Sequence, residues 1–138
     1  MLVQEVWLEA LPRILREEVL LKREIKLKET IKIHGFHFYS KAIRPSADHR
    51  DRIVAALTNP DGILEWAGTK LCGGYHPDYV VKWKDSEGSE CEVLICFGCH
   101  EIKLYGDDFQ LYADLNQKTY DSLVDVLSEY EDQRPRSN

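Results

Sequence analysis

Cys72, His76, Cys96, Cys99 and His100 fall within 29 residues of one another, in a chain of 138 that holds only four cysteines. Thiolate and imidazole are the ligand types that suit zinc, and a Cys-x-x-Cys pair is the usual half of a structural zinc site. The four-ligand set on offer is Cys72, His76, Cys96 and Cys99, with His100 as a spare. One arm is Cys72-x-x-x-His76 and the other is Cys96-Phe97-Gly98-Cys99. On a straight strand, positions three apart point to opposite faces, so the two thiols of the second arm would diverge. Gly98 offers a remedy, since a positive φ there would make a knuckle that turns both sulfurs inward.

The same residues support plainer and rival chemistries. Cys91, Cys96 and Cys99 suit simple burial on strands, because cysteine is among the most buried residue types. A disulfide is open to them in an oxidising compartment. Cys96-Phe97-Gly98-Cys99-His100 also matches the c-type haem attachment motif. Against haem stand flanks that alternate as strand, a single methionine (Met1) for a distal ligand, and no export signal. A thioredoxin-type pair opens a helix, whereas Ile102-Lys103-Leu104-Tyr105 alternates as a strand. A Cys–His nucleophile has no local signature here, and no motif places a general acid or base beside the cysteines.

The pattern Cys72-x-x-x-His76, then Ile95-Cys96-Phe97-x-Cys99 and a strand ending in Tyr105, resembles a set of small uncharacterised bacterial proteins over residues 50 to 130. The resemblance implies that these four positions act together. It carries no activity with it.

The elements that must position these residues follow from periodicity. Leu2, Val3, Val6, Trp7 and Leu11 recur at helical spacing until Pro12 interrupts them, and Ile14 and Leu15 begin a second short helix. From Arg23 the period becomes two: Ile25, Leu27, Ile31 and Ile33 alternate with Lys26, Lys28, Thr30 and Lys32. His34-Gly35 allows a turn before Phe36–Tyr39, and the lysine row reads as the wet face of an edge strand. The loop Pro45-Ser46-Ala47-Asp48 offers a cap for a helix from about Asp48 to Leu57, which Asn59-Pro60-Asp61-Gly62 stops. Gly68 through Pro77 is a loop carrying Cys72 and His76. Hairpin strands at Tyr79–Trp83 and Glu90–Phe97 follow, then strands at His100–Tyr105 and Phe109–Leu115. Asn116 could cap a last helix bearing Tyr120, Leu123, Val124, Leu127 and Tyr130. The expected fold class is α+β: an antiparallel sheet of about five strands, with helices at the N-terminus, middle and C-terminus packed on one face. Residues 1–130 read as one domain and 131–138 as a disordered tail.

Composition narrows the function classes. No apolar run approaches the roughly 20 residues of a membrane span, and the Met1–Glu5 start is not a signal peptide, so a cytoplasmic protein is expected. The net charge of −6 is uneven. Residues 1–84 hold 14 Lys/Arg against 11 Asp/Glu, a net of +3, and residues 85–138 hold 4 against 13, a net of −9. An acidic half argues against nucleic acid and suits a basic protein partner. No phosphate-cradling loop or nucleophile elbow occurs, and Trp7, Trp66 and Trp83 read as core or interface anchors. The expected function is an interaction module of the immunity-inhibitor or adaptor type, with zinc as a structural staple. The alternative is a metal- or thiol-dependent enzyme using Cys72, His76, Cys96 and Cys99.

Overall fold

The computed structural model describes residues 18–22, 29–68 and 75–130. The expected helices before Glu18, the start of the lysine-flanked strand, Cys72 and the tail from 131 lie outside the described residues. The chain divides into two units, one within Met1–Ala42 and one spanning Ile43–Gln133. In the first, residues 18–22 are helical. A hairpin follows, β1 (Thr30–Ile33) and β2 (Phe36–Tyr39), in register from Thr30↔Tyr39 to Ile33↔Phe36. Its turn is His34-Gly35, with φ of 49° and 89°. Two successive positive φ values give a type I′ turn, whose twist matches that of the strands it joins. Lys32 is exposed as its place in the basic row requires, but Ile31 is exposed too, and Ile33 alone of β1 is buried.

The second unit begins with α1 (Ala47–Thr58). The Ser46 hydroxyl accepts the His49 N–H at 3.2 Å, satisfying one of the amides that a helix start leaves without a partner. The helix ends before Pro60, and Asn59 is extended (φ −79°, ψ 109°), as the residue preceding a proline must be. A five-stranded antiparallel sheet follows, made of β3 (Ile63–Glu65), β4 (Tyr79–Lys84), β5 (Glu90–Cys96), β6 (Glu101–Tyr105) and β7 (Gln110–Leu115). Its spatial order is β3-β7-β6-β5-β4, so β4 to β7 form a meander and β3 is added at the far edge. Last comes α2 (Gln117–Leu127), where the Asn116 side chain accepts the Thr119 N–H at 2.8 Å.

Alternation along the strands sends Tyr79, Val93, Ile95, Ile102, Ala113 and Leu115 to one face. There they form a core with Ile53 of α1 and Leu123, Val126 and Leu127 of α2. Each fully buried aliphatic side chain contributes about 1.5–3 kcal/mol, so this face supplies most of the unit's stability. The short strand β3 is anchored by α2 as well as by β7. The Asn116 N–H donates to the Gly62 carbonyl at 3.0 Å, and its amide nitrogen donates to the Asp61 carbonyl at 2.9 Å. Gly62 has no room for a side chain, because a Cβ there would run into the Thr119 hydroxyl and lie 3.1 Å from its Cβ. Gly62→Ala should therefore lower stability by about 1–3 kcal/mol in denaturant unfolding, as overpacking does. Adding Thr119→Ala should restore part of that loss. A neutral Gly62→Ala would show that the start of α2 can slide away from β3.

Candidate functional site

The sheet's other face carries the cysteine chemistry. Cross-strand register sets Cys96 beside Glu101, Glu101 beside Asp114 and Asp114 beside Leu64. The next row is Val80, Leu94, Lys103 and Tyr112. Both rows point away from the helices. Tyr75, from the loop preceding β4, lies over them and donates its hydroxyl to the Leu94 carbonyl at 2.6 Å. The Lys103 ammonium sits over two rings, 4.1 Å from the centroid of Tyr75 and 4.8 Å from that of Tyr112. Burial, reinforced by the negative charge that Cys96, Glu101, Tyr105 and Cys99 can carry, holds the Tyr75 phenol far above its ordinary 10.0. Tyr105 is raised as well, by burial first and then by the neighbouring Tyr112. Both phenols are thus held in the neutral form, and that of Tyr75 is a hydrogen-bond donor.

The loop between β5 and β6 is a four-residue turn, Phe97 to His100. The positive φ expected at Gly98 falls instead at His100, with φ of 52°. The physical reason is the hairpin itself. Cys96↔Glu101 closes the ladder, and four-residue loops of this kind, built on a type I turn, bring the chain back through a left-handed final residue. His100 tolerates that conformation with its ring stacked on Tyr120 of α2, centroids 3.7 Å apart and planes 2° from parallel. The turn is pinned from the residue before β4, where the buried Asp78 carboxylate accepts the Phe97 N–H at 2.9 Å and the Asp78 N–H donates to the Ile95 carbonyl at 2.8 Å.

Of the five proposed ligands, the structure brings together two. Cys96 (2% exposed) and Cys99 (4% exposed) are both buried, and both lie within electrostatic range of Tyr75. His76, next to Tyr75 in the chain, is exposed. His100 is turned toward α2, and Cys72 lies outside the described residues. Among the described residues no three of His, Cys, Asp and Glu are grouped to hold a metal, and Cys91, Cys96 and Cys99 are free thiols. Reactive cysteines are partly exposed in electropositive surroundings, whereas these two thiols are enclosed beside an acid.

Sequence reasoning missed Tyr75, Asp78 and Lys103 in this cluster. A single tyrosine in a glycine-containing loop gives no periodic signal, and the alternation of β6 alone would have placed Lys103 beside Cys96's row. Apart from Trp66, read as a core or interface anchor, it also missed the exposed group at the β3–β7 end of the sheet. Leu64, Trp66, Phe109, Leu111 and Tyr112 are there, from 38% exposed at Tyr112 to 51% at Phe109. Trp66 meets Tyr112 edge to face at 6.1 Å. Acids flank the group, with Asp107 and Asp108 in the turn before β7 and Glu65 at the end of β3, all exposed.

No protein-family model, curated protein or solved structure matches the chain.

The Tyr75 hydroxyl gives this face a measurable signature. Its folded value lies above its unfolded one, so the stability it contributes is complete below pH 10.0 and is lost as pH rises beyond that. Tyr75→Phe should cost about 1 kcal/mol near neutrality, the value of one hydrogen bond. It should also flatten the alkaline fall in stability, read from denaturant midpoints across that pH range. An unchanged alkaline slope would place the hydroxyl in water.

Proposed function

We propose that this protein is a small interaction module of the immunity-inhibitor or adaptor type, and that its acidic C-terminal half engages a basic protein partner. The observation that carries this reading is the exposed apolar group on β3 and β7 with Asp107, Asp108 and Glu65 around it. Large apolar side chains left exposed on both faces of a sheet edge and flanked by charge suit a protein-binding site. The net −9 of residues 85–138 would speed encounter with a basic partner and set its orientation. The enclosed thiols belong to the same reading as structure. With Cys72 and His76 they would supply the four ligands of a closed zinc staple, which holds a fold rather than performing chemistry.

Two measurements test the reading. Fluorescence anisotropy with labelled peptides of about 12 residues should give binding when apolar residues alternate with lysine, and none when they alternate with glutamate. That affinity should fall about tenfold or more between about 0.05 and 0.5 M salt, and by a similar factor in the Asp107→Lys/Asp108→Lys double variant. Equal binding of both peptides at both salts would refute charge as the selector. Elemental analysis of chelator-free protein should give about one zinc per chain. Zinc-free protein with four titrating thiols would remove the staple and leave the cysteines as packing.

A further inference from the structure

We propose that the outer edge of β7 at Gln110–Tyr112 is a strand-addition site, which takes an extended basic segment of the partner protein. This rests on the interaction reading above and adds the mode of recognition. β3 is only three residues long and pairs with β7 at Ala113, Asp114 and Leu115. β7 starts at Gln110, so along Gln110–Tyr112 no strand lies on its outer side among the described residues.

The backbone there is oriented to pair. The Gly106 N–H donates to the Phe109 carbonyl and the Leu115 N–H donates to the His100 carbonyl, each at 2.9 Å across the β6–β7 ladder. Backbone groups alternate in direction along a strand. Phe109, Leu111, Ala113 and Leu115 therefore bond toward β6, while Gln110 and Tyr112 direct their backbone groups outward. An added strand would continue the line that β3 abandons at Glu65.

The two edges of the sheet differ in a way that matters for partners. Lys82 and Lys84 stand on β4, paired with Glu92 at 3.2 Å and Glu90 at 3.7 Å. Charged side chains, lysine above all, are the usual protection against unwanted strand pairing. The β7 edge reads Phe109-Gln110-Leu111-Tyr112, with no charge, proline or bulge. Its side chains offer apolar surface on both faces, Leu111 on the helix face and Tyr112 with Trp66 on the other. Strand addition uses both features, main-chain bonds for affinity and alternate side-chain contacts for selectivity.

Charge selects the occupant. Asp107 and Asp108 lie at one end of the open stretch and Glu65 and Asp114 at the other. The nearby Lys103 is already held over the Tyr75 and Tyr112 rings. A second copy of the chain is disfavoured, because β3 already pairs with Ala113–Leu115 in each copy. Two β7 edges could meet only over Gln110–Tyr112, which would bring the Asp107–Asp108 turn of one copy toward the Glu65 end of the other, and like charges brought close repel. An extended segment with lysine or arginine between apolar residues meets both conditions.

The test uses the full chain and the alternating apolar/lysine peptide. Amide hydrogen exchange resolved by NMR should slow about tenfold or more at Gln110 and Tyr112 when the peptide binds, and should not change on β4. Gln110→Pro deletes an outward N–H without touching the ladder to β6, so it should weaken the peptide about tenfold while thermal stability is kept. If that variant misfolds, the exchange measurement on the unaltered chain decides alone. Peptide binding that leaves Gln110 and Tyr112 unprotected would overturn the strand-addition site while the interaction reading stands. Failure of any basic peptide to bind would remove both. Concentration-dependent protection of the same amides without peptide would make the occupant a second copy, and would also overturn the proposal.

Discussion

The double burial of β5 is the constraint from which the rest of the second unit follows. Val93, Leu94, Ile95 and Cys96 are consecutive residues and all are buried. Side chains alternate across a strand, so four buried neighbours require cover on both faces of the sheet. α1 and α2 cover one face through Ile53, Leu123 and Val126. On the other face Leu94 and Cys96 are covered as well. Tyr75 does part of this, and its phenol is satisfied by the Leu94 carbonyl of the strand it covers.

That second cover encloses the cysteines of the hairpin. Cys96 and Glu101 stand side by side on the covered face, and Cys99 lies in the turn between their strands. The Cys96 thiol there is buried, beside Glu101 on the neighbouring strand. Asp78 holds the turn on one side and Tyr120 holds His100 on the other. The most chemically suggestive run in the chain is thus a hairpin loop clamped between a strand and a helix. An aromatic chain links the same parts, with Tyr79 on Phe97 and Phe97 on Tyr120, both edge to face.

The helices are held together at their far ends by polar contacts. His49 of α1 meets the Tyr130 hydroxyl at 2.6 Å and Glu129 at 2.8 Å, while the Tyr79 hydroxyl donates to the Tyr130 carbonyl at 2.8 Å. Arg52 and Asp125 add an exposed ion pair at 2.6 Å, the kind that contributes about 1 kcal/mol or less. With its helix face packed and its other face covered at the centre, the sheet presents surface chiefly at its edges. One edge carries lysines; the other is apolar and rimmed by acids.

The sequence by itself determined what local bonding decides. Ser46 and Asn116 cap their helices, Pro60 stops α1, His34-Gly35 turns the first hairpin, and the alternating runs become strands. Each rests on hydrogen bonds or steric exclusions between near neighbours, so each is legible in a short window. Ile63–Glu65, too short to classify by period, became a strand only because β7 was there to pair with it. The tertiary structure alone decided that Tyr75 lies at Leu94 and Lys103, that His100 and not Gly98 takes the left-handed conformation, and that β3 pairs with only half of β7. Those outcomes depend on strand order and on which loop meets which face. They are set by burying apolar surface among residues distant in the chain, and no local spacing records that.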